Sequence, residues 1–277
     1  NTSKVTKYDN PNRTLTDPYE GQQLGEIWGY VVDGYFKTDE EARNYKVDQS
    51  FVNQMINASA LDNGLHAGDL KFVDLDGNNK IEQTTSANDR KDMKVIGNSL
   101  PRYNYNFGIS ADWYGIDFSV LFQGIGKQNW YPGAETSMFW GPYSRPYASF
   151  IPSDFMSQVW SEENTDAYFP RPRGYVALGS NRELAVVNTK YLQNLAYCRL
   201  KNLSIGYTLP DKWLSKIGFE KIRVYFSGEN LLTFTKLHSD YIDPEQASAS
   251  NSWKTSKSDA NIYPWAKTYS FGVDITF

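Results

Sequence analysis

The stretch Tyr103-Asn-Tyr-Asn-Phe-Gly-Ile-Ser-Ala-Asp-Trp113 decides the fold, because apolar and polar residues alternate along it. A period of two is typical of a β-strand whose two faces meet different surroundings. Tyr114-Gly115 follows as a tight turn, and the alternation resumes from Ile116 to Gln123. Together the two stretches predict an antiparallel hairpin with one apolar, aromatic-rich face.

Three more stretches alternate in the same way, at about 197–209, 221–232 and 269–277. Each has about the 9–11 residues with which a tilted strand crosses a bilayer. The connections are short at 114–115 and 210–220, and long at about 125–190 and 233–263. Short turns at one end and long loops at the other are the layout of an outer-membrane β-barrel. The sequence therefore predicts five strands of a transmembrane antiparallel barrel.

A soluble β-sandwich also alternates, so a soluble β-rich carbohydrate-binding module is the alternative. A sandwich needs a second apolar layer, and the chain offers no obvious surplus strands for one. Five strands cannot close a barrel in lipid, where no strand edge stays unpaired. Because the chain begins at Asn1 with no leader-like segment, we expect a mature fragment that other strands complete.

The composition argues against several classes of protein. The 277 residues carry 28 Lys and Arg against 32 Asp and Glu, without a basic run, which argues against a nucleic-acid partner. No apolar run approaches the roughly 20 residues of a spanning helix. One cysteine (Cys198) and two histidines (His66 and His238) leave too few groups for a disulfide scaffold or a hydrolase site, so we predict no enzymatic activity.

Several segments, in order along nearly the whole chain, resemble the SusC/RagA family of TonB-dependent outer-membrane transporters of Bacteroidetes. They are Gly25–Phe36 (GEIWGYVVDGYF), Gly68–Gly77 (GDLKFVDLDG), Val95–Pro101 (VIGNSLP), Phe118–Gly124 (FSVLFQG), Arg199–Pro210 (RLKNLSIGYTLP) and Tyr269–Phe277 (YSFGVDITF).

The resemblance implies an all-β chain that supplies the last five strands of a barrel of about 22 strands, with long extracellular loops. Residues 1–101 would form an extracellular loop region, and 102–277 the C-terminal strands and further loops. It also implies an outer-membrane location and import of oligosaccharides or oligopeptides. The expected partners are a SusD-like surface lipoprotein and TonB, but the plug and TonB box of the family match nothing in this chain.

One turn resembles a calcium-binding loop. Asp74, Asp76 and Asn78 offer oxygen ligands at positions 1, 3 and 5, the Lys80 carbonyl stands at position 7 and the Glu82 carboxylate at position 9. Position 12 is a threonine, and the next acid is Asp89. The alternative to a Ca²⁺ site is a polar hairpin turn closed by Asx hydrogen bonds.

The loop between the second and third strands is rich in aromatic and arginine side chains, which stack on sugar rings or clamp carboxylates. The alternative is packing between loops or against the lipoprotein. The substrate-binding candidates are Trp140, Tyr143, Arg145, Tyr147, Trp160, Arg171 and Arg173.

Aromatics near the strand ends predict interfacial girdles. Trp113 and Tyr114 lie at the short-turn end, and the long-loop end has Trp130, Tyr131, Tyr263 and Trp265. Charged residues on the polar strand faces would line the interior, namely Asp112, Asp117, Arg223, Glu229 and Asp274. The terminal Phe277 resembles the signal read by barrel-assembly machinery, and its alternative role is that of a plain lipid-facing residue.

Overall fold

The structure is a computed structural model that describes residues 3–53, 64–144, 151–172, 177–179, 181–216, 218–247, 257–258 and 264–277. The strands are β1 (Glu26–Tyr30), β2 (Val32–Tyr35), β3 (Leu70–Phe72), β4 (Met93–Asn98), β5 (Arg102–Trp113), β6 (Ile116–Lys127), β7 (Asn129–Pro132), β8 (Gln193–Asn194), β9 (Tyr197–Thr208), β10 (Lys221–Thr235), β11 (Lys257–Ser258) and β12 (Thr268–Thr276). The helices are α1 (Asp39–Arg43), α2 (Ser137–Trp140) and α3 (Asp211–Leu214), and two 3₁₀ turns cover Gly141–Tyr143 and Phe155–Gln158.

Five long antiparallel strands form one sheet in the order β12-β10-β9-β6-β5. These are the five strands that the alternation predicts, and the antiparallel β class is confirmed. In the tight turn between β5 and β6, Tyr114 and Gly115 both adopt positive φ, as the two-residue hairpin requires. The strand β10 runs to Thr235, three residues beyond the predicted stretch.

One face of this sheet presents apolar side chains to the exterior. On β12 the side chains of Tyr269, Phe271 and Val273 are all exposed, with Phe271 at 83%. Ile109 on β5 and Phe234 on β10 are exposed as well. The apolar rows therefore do not meet one another in a dry interior, which is what a closed sandwich would need.

The main buried core lies outside the five-stranded sheet. It combines side chains from β1 to β3 with others from the long connections after β6 and β10. We call this cluster the loop core, and its buried members include Tyr30, Phe72, Trp130, Tyr131, Trp140, Phe169, Tyr191 and Leu237. The described parts of the long loops thus form a packed layer at one end of the sheet.

The girdle prediction is wrong for Trp130 and Tyr131 at the long-loop end; Trp265 at the same end is 53% exposed, and Tyr263 lies outside the described residues. Trp130 and Tyr131 of β7 are completely buried in the loop core, whereas Trp113 and Tyr114 at the short-turn end are 70% and 86% exposed. The phenol hydroxyl of Tyr131 donates to the Leu184 carbonyl at 2.8 Å, so this buried hydroxyl has a hydrogen-bond partner inside the protein.

Within the described ranges, no helix has the length and apolar character needed to cross a membrane.

Candidate functional site

The predicted cation turn brings three carboxylates together. One oxygen each from Asp74, Asp76 and Asp92 lies within 4.8 Å of the others. Asp74 and Asp76 belong to the predicted ligand set, and Asp92 does not. Asp92 follows Glu82 by ten residues and fits no position of a calcium-loop pattern, so the sequence carries no signal for it.

Backbone amides hold the first carboxylate in place. The Asp74 oxygens accept from the amides of Gly77 and Asn79, both at 2.7 Å. Burial pushes the pKa of the Asp74 carboxyl up, but these backbone hydrogen bonds outweigh it, and the pKa lies below its usual range. These contacts are the Asx hydrogen bonds of the alternative interpretation, and they also pre-organise the carboxylate for a cation.

Asp92 supplies the buried wall of the cluster. Its carboxylate accepts from the amides of Leu75 at 2.8 Å and Glu82 at 2.7 Å, which ties the two sides of the turn together. Burial raises the pKa of Asp92; the two amides oppose this, and the negative charges of Asp76 and Asp74 add to it. A cation bound here would relieve that repulsion.

The remaining predicted ligands lie around the cluster rather than in it. The Asn78 amide group donates to Asp76 and to the Glu82 carboxylate at 3.0–3.1 Å. The backbone amide of Lys80 donates to the Asn78 side-chain oxygen Oδ1 at 2.8 Å. Asp89 is exposed and lies 3.6 Å from the Lys91 ammonium, outside the group of three.

Two of the predicted substrate-binding aromatics are packed inside the loop core. Trp140 is fully buried, and its indole N–H donates to the Gly133 carbonyl at 3.0 Å. Tyr143 is 2% exposed and donates to the Pro170 carbonyl at 2.5 Å. Both side chains are packed against protein atoms, as the loop-packing alternative expects, and their role in substrate binding stays a prediction.

Trp160 and Arg171 lie together at the edge of the same core. The Trp160 ring packs against Gly68, and the Arg171 guanidinium donates to the Ala67 carbonyl at 3.2 Å. Arg171 keeps part of its surface exposed. The other three candidates, Arg145, Tyr147 and Arg173, lie outside the described residues.

The charges on the polar face of the sheet form a network. The Arg223 guanidinium lies 2.6 Å from the Asp117 carboxylate and 3.2 Å from that of Asp274. Asp112 stands opposite Asp117 in the β5–β6 register, and Glu229 is exposed on β10. The predicted polar-face residues therefore share one face, and Arg223 links β6, β10 and β12 on it.

A buried ion cluster that the sequence did not predict joins the sheet to the loop core. Arg199 of β9 contacts the carboxylates of Asp243 and Glu245, each at 2.6 Å, and Lys201 contacts Glu245 at 2.8 Å. Arg199 and Asp243 are almost fully buried. The carboxylates of Asp243 and Glu245 lie more than 40 residues after Arg199 along the chain. Sequence spacing does not predict contacts over such a distance.

The C-terminal residue lies at the short-turn end of the sheet. Phe277 is 81% exposed, and its ring centroid lies 5.1 Å from that of Phe219. It continues the apolar row of β12, in keeping with either of its two predicted roles.

Comparisons with known proteins agree with the resemblance. No protein-family model matches the chain. TonB-dependent receptor P3 of Formosa agariphila is 28% identical over 264 residues, which are 93% of this chain and 22% of the receptor. TonB-dependent receptor P39 of the same organism is 26% identical over 283 residues, 93% of this chain and 25% of the receptor. The chain thus spans about a quarter of the length of these curated relatives.

Solved structures give the same fold. The RagAB peptide importer in its open-open state matches with a TM-score of 0.54 at 20% identity, covering 98% of this chain and 24% of the other. The RagAB peptide transporter matches with a TM-score of 0.56 at 21% identity, covering 99% and 25%. These alignments place the five-stranded sheet and its loops in the fold of one part of such a transporter.

The relatives are receptors and not enzymes, and TonB-dependent receptors are outer-membrane proteins; both points agree with the sequence predictions. The chain is homologous, over nearly its whole length, to the C-terminal part of TonB-dependent receptors.

Proposed function

We propose that this chain supplies C-terminal wall strands and extracellular loops of a TonB-dependent outer-membrane importer. The importer takes up oligosaccharides or oligopeptides together with a SusD-like lipoprotein and draws energy through TonB. The observation that carries the proposal is the division of the sheet into two faces. Exposed apolar side chains such as Phe271 cover one face, and the Arg223 ion network lies on the other.

This division suits a wall between lipid and a polar interior. Lipid contact removes the cost of exposing an apolar row to water, and interior-facing charges stay paired or hydrated. The strands β5 and β12 form the two edges of the sheet. Because an open edge is costly in hydrocarbon, further strands of the same transporter pair with them in this proposal.

The loop core belongs to the extracellular side in this proposal. The described parts of 1–101 and of the long connections after β6 and β10 pack together at one end of the sheet, and the short turns lie at the other end. A packed layer at the barrel mouth provides a rigid surface to which the lipoprotein and the nutrient can bind.

Within this layer, the turn around Asp74, Asp76 and Asp92 is the proposed Ca²⁺ site. Hard cations prefer oxygen ligands, and three carboxylates within 4.8 Å supply enough negative charge. The role of the ion would be structural, because Asp92 already joins the two sides of the turn.

Uptake by cells tests the function. Cells that carry the complete transporter should accumulate labelled oligosaccharide or oligopeptide, and loss of TonB or removal of 102–277 should abolish the accumulation. Uptake that persists without TonB would contradict the proposal. The alternative of a soluble carbohydrate-binding module predicts that this chain fractionates with soluble protein when no detergent is present.

A further inference from the structure

A polar cavity lies between the sheet and the loop core, beside the buried ion cluster around Arg199. Its volume is about 320 Å³, within the range of cavities that bind small ligands. The polar face of β9 and β10 provides one wall, and the segments 239–244 and 264–267 complete it. In the proposed importer the polar face lines the interior, so a nutrient would pass this cavity on its way from the loops into the barrel.

Arg199 is the fixed polar group of the wall. It stands opposite Gln123 and Thr233 in the strand register, and only 3% of its side chain is exposed. Its Nε donates to the Thr233 hydroxyl oxygen at 2.9 Å, and its two Nη atoms donate to Asp243 and Glu245. These described contacts use three of its five N–H groups, and the Thr233 hydroxyl can still donate its own hydrogen. Donors for a ligand oxygen are therefore held in a fixed orientation.

Asn230 adds an acceptor to the same wall. It has a positive φ at the bulge of β10, and its amide nitrogen donates to the Ala266 carbonyl at 3.3 Å. The amide oxygen is buried and accepts no hydrogen bond from any described residue. A buried acceptor without a donor costs free energy, and a ligand hydroxyl beside it would remove that cost.

Trp265 supplies an aromatic surface next to these groups. Its backbone amide donates to the Asp243 carboxylate at 3.2 Å, and the Lys201 ammonium lies 5.6 Å from its ring centroid. The side chain nevertheless keeps 53% of its surface exposed, unlike Trp140 and Tyr143 in the loop core. The indole is thus held in place while about half of its surface meets solvent.

The charges around the cavity balance. The two cations and two carboxylates of the ion cluster pair with one another. At the rim, the exposed Lys267 and Asp240 contribute one charge of each sign. A balanced site gives no preference to a charged ligand. An uncharged molecule with several hydroxyl groups and one apolar face suits fixed donors and acceptors beside an indole ring.

We propose that this cavity binds a neutral sugar ring of an oligosaccharide nutrient. The inference rests on the proposed importer function and deepens it, because it favours neutral glycans over peptides as substrate. The C–H face of the sugar packs on Trp265, and its hydroxyl groups exchange hydrogen bonds with the wall at Arg199, Thr233 and Asn230. An apolar peptide side chain on Trp265 would leave these polar groups unpaired.

The test uses the complete transporter, purified in detergent, and isothermal titration with four neutral tetrasaccharides and a capped tetra-alanine peptide. The sugars are linear chains of α-glucose, β-glucose, β-mannose or β-galactose. We expect at least one tetrasaccharide to bind, and the peptide to bind more weakly. Trp265→Ala should weaken binding of that sugar about tenfold, because the packed aromatic surface is lost.

Two further variants separate stacking from a structural role, with affinities compared per folded molecule. Trp265→Phe keeps a flat ring and should retain most of the affinity. Trp213→Ala removes an indole of similar exposure, 59% against 53%, from α3 at the short-turn end of the sheet. It should leave the affinity unchanged.

Three results would overturn the inference: no binding of any tetrasaccharide, tighter binding of the peptide than of every sugar, or equal affinities of the Trp265→Ala and Trp213→Ala variants. TonB-dependent uptake of peptide by cells would in that case still support the proposed importer. Uptake that persists without TonB would instead contradict the importer function itself.

Discussion

Arg223 of β10 reaches across β9 to Asp117 of β6, with its Nε and Nη2 atoms 2.8 and 2.6 Å from the two carboxylate oxygens. The strand between them passes beneath this ion pair at Gly206. A Cβ atom at Gly206 would overlap the Asp117 carboxylate and lie 2.6 Å from Arg223 Nε. The absent side chain is what lets one ion pair tie three neighbouring strands together on the polar face.

Gly206→Ala should therefore break the ion pair and lower the temperature at which the complete transporter unfolds. The physical reason is overlap, since the added methyl occupies the space of the bridging groups. Ser204→Ala is the control, because it alters the same face of the same strand and only removes an atom. Heat-dependent migration of the folded barrel on gels measures the change, and equal unfolding of both variants would contradict the argument.

Arg199→Met should destabilise the junction between the sheet and the loop core by about 3 kcal/mol. Removing one partner of a buried ion pair leaves the other charge, here Asp243, without compensation. Limited proteolysis should then cut the segment 236–247 faster, and the unfolding midpoint should fall. The exposed Arg90 provides the control, since Arg90→Met should leave both measurements unchanged.

Ca²⁺ affinity distinguishes Asp92, which the structure places in the carboxylate cluster, from Asp89, which only the spacing of a calcium loop suggests as a ligand. Asp92→Asn should weaken Ca²⁺ binding by tenfold or more, about 1.4 kcal/mol or above, because it removes a carboxylate of the cluster. Asp89→Asn, an equal change of charge outside the cluster, should leave the affinity within about twofold. Isothermal titration on the complete transporter makes the comparison, and no detectable Ca²⁺ binding would support the polar-turn alternative.

The same site predicts a pH dependence. Because the pKa of Asp92 is raised in the folded protein, the folded state holds its proton more tightly than the unfolded state does. Without Ca²⁺ this contribution to stability is present below the unfolded pKa of an aspartate and is lost as the pH rises through the raised value. Ca²⁺ favours the charged carboxylate, so its stabilising effect should grow over the same interval. Melting temperatures with Ca²⁺ and with chelator, compared from about pH 4 to about pH 7, should diverge; parallel curves would show that Asp92 is not a ligand.

Trp140→Ala should lower stability by about 3–5 kcal/mol, as expected for a large cavity in a packed core. Nutrient affinity per folded molecule should not change, because the ring is fully buried. Trp213 on α3 is 59% exposed and serves as the matched control, with little expected effect of Trp213→Ala on stability. A selective loss of affinity in Trp140→Ala would instead support the predicted substrate-binding role of this residue.

Phe277→Ala distinguishes an assembly signal from a plain lipid-facing residue. Phe271 lies on the same apolar row and is equally exposed, at 83% against 81%. If the terminal position is read during assembly, Phe277→Ala should reduce the amount of folded transporter in the outer membrane and Phe271→Ala should not. An equal effect of both substitutions would leave Phe277 as an ordinary member of the row.

The sequence by itself determined the five long strands, the tight turn at Tyr114-Gly115 and the separation of apolar from polar faces. All three depend on local rules, since alternation and turn chemistry are set within a few residues. The sequence also showed the resemblance to TonB-dependent transporters, and the comparisons confirm that resemblance.

Only the tertiary structure decided which residues meet across long sequence distances. Trp130 and Tyr131 are buried in the loop core, and Asp92 lies beside Asp74 and Asp76. Arg199 forms an ion pair with Asp243. In each case the backbone of a long connection folds back on another segment. Periodicity and motif spacing describe neighbours along the chain, so they cannot report contacts that depend on where such a connection returns.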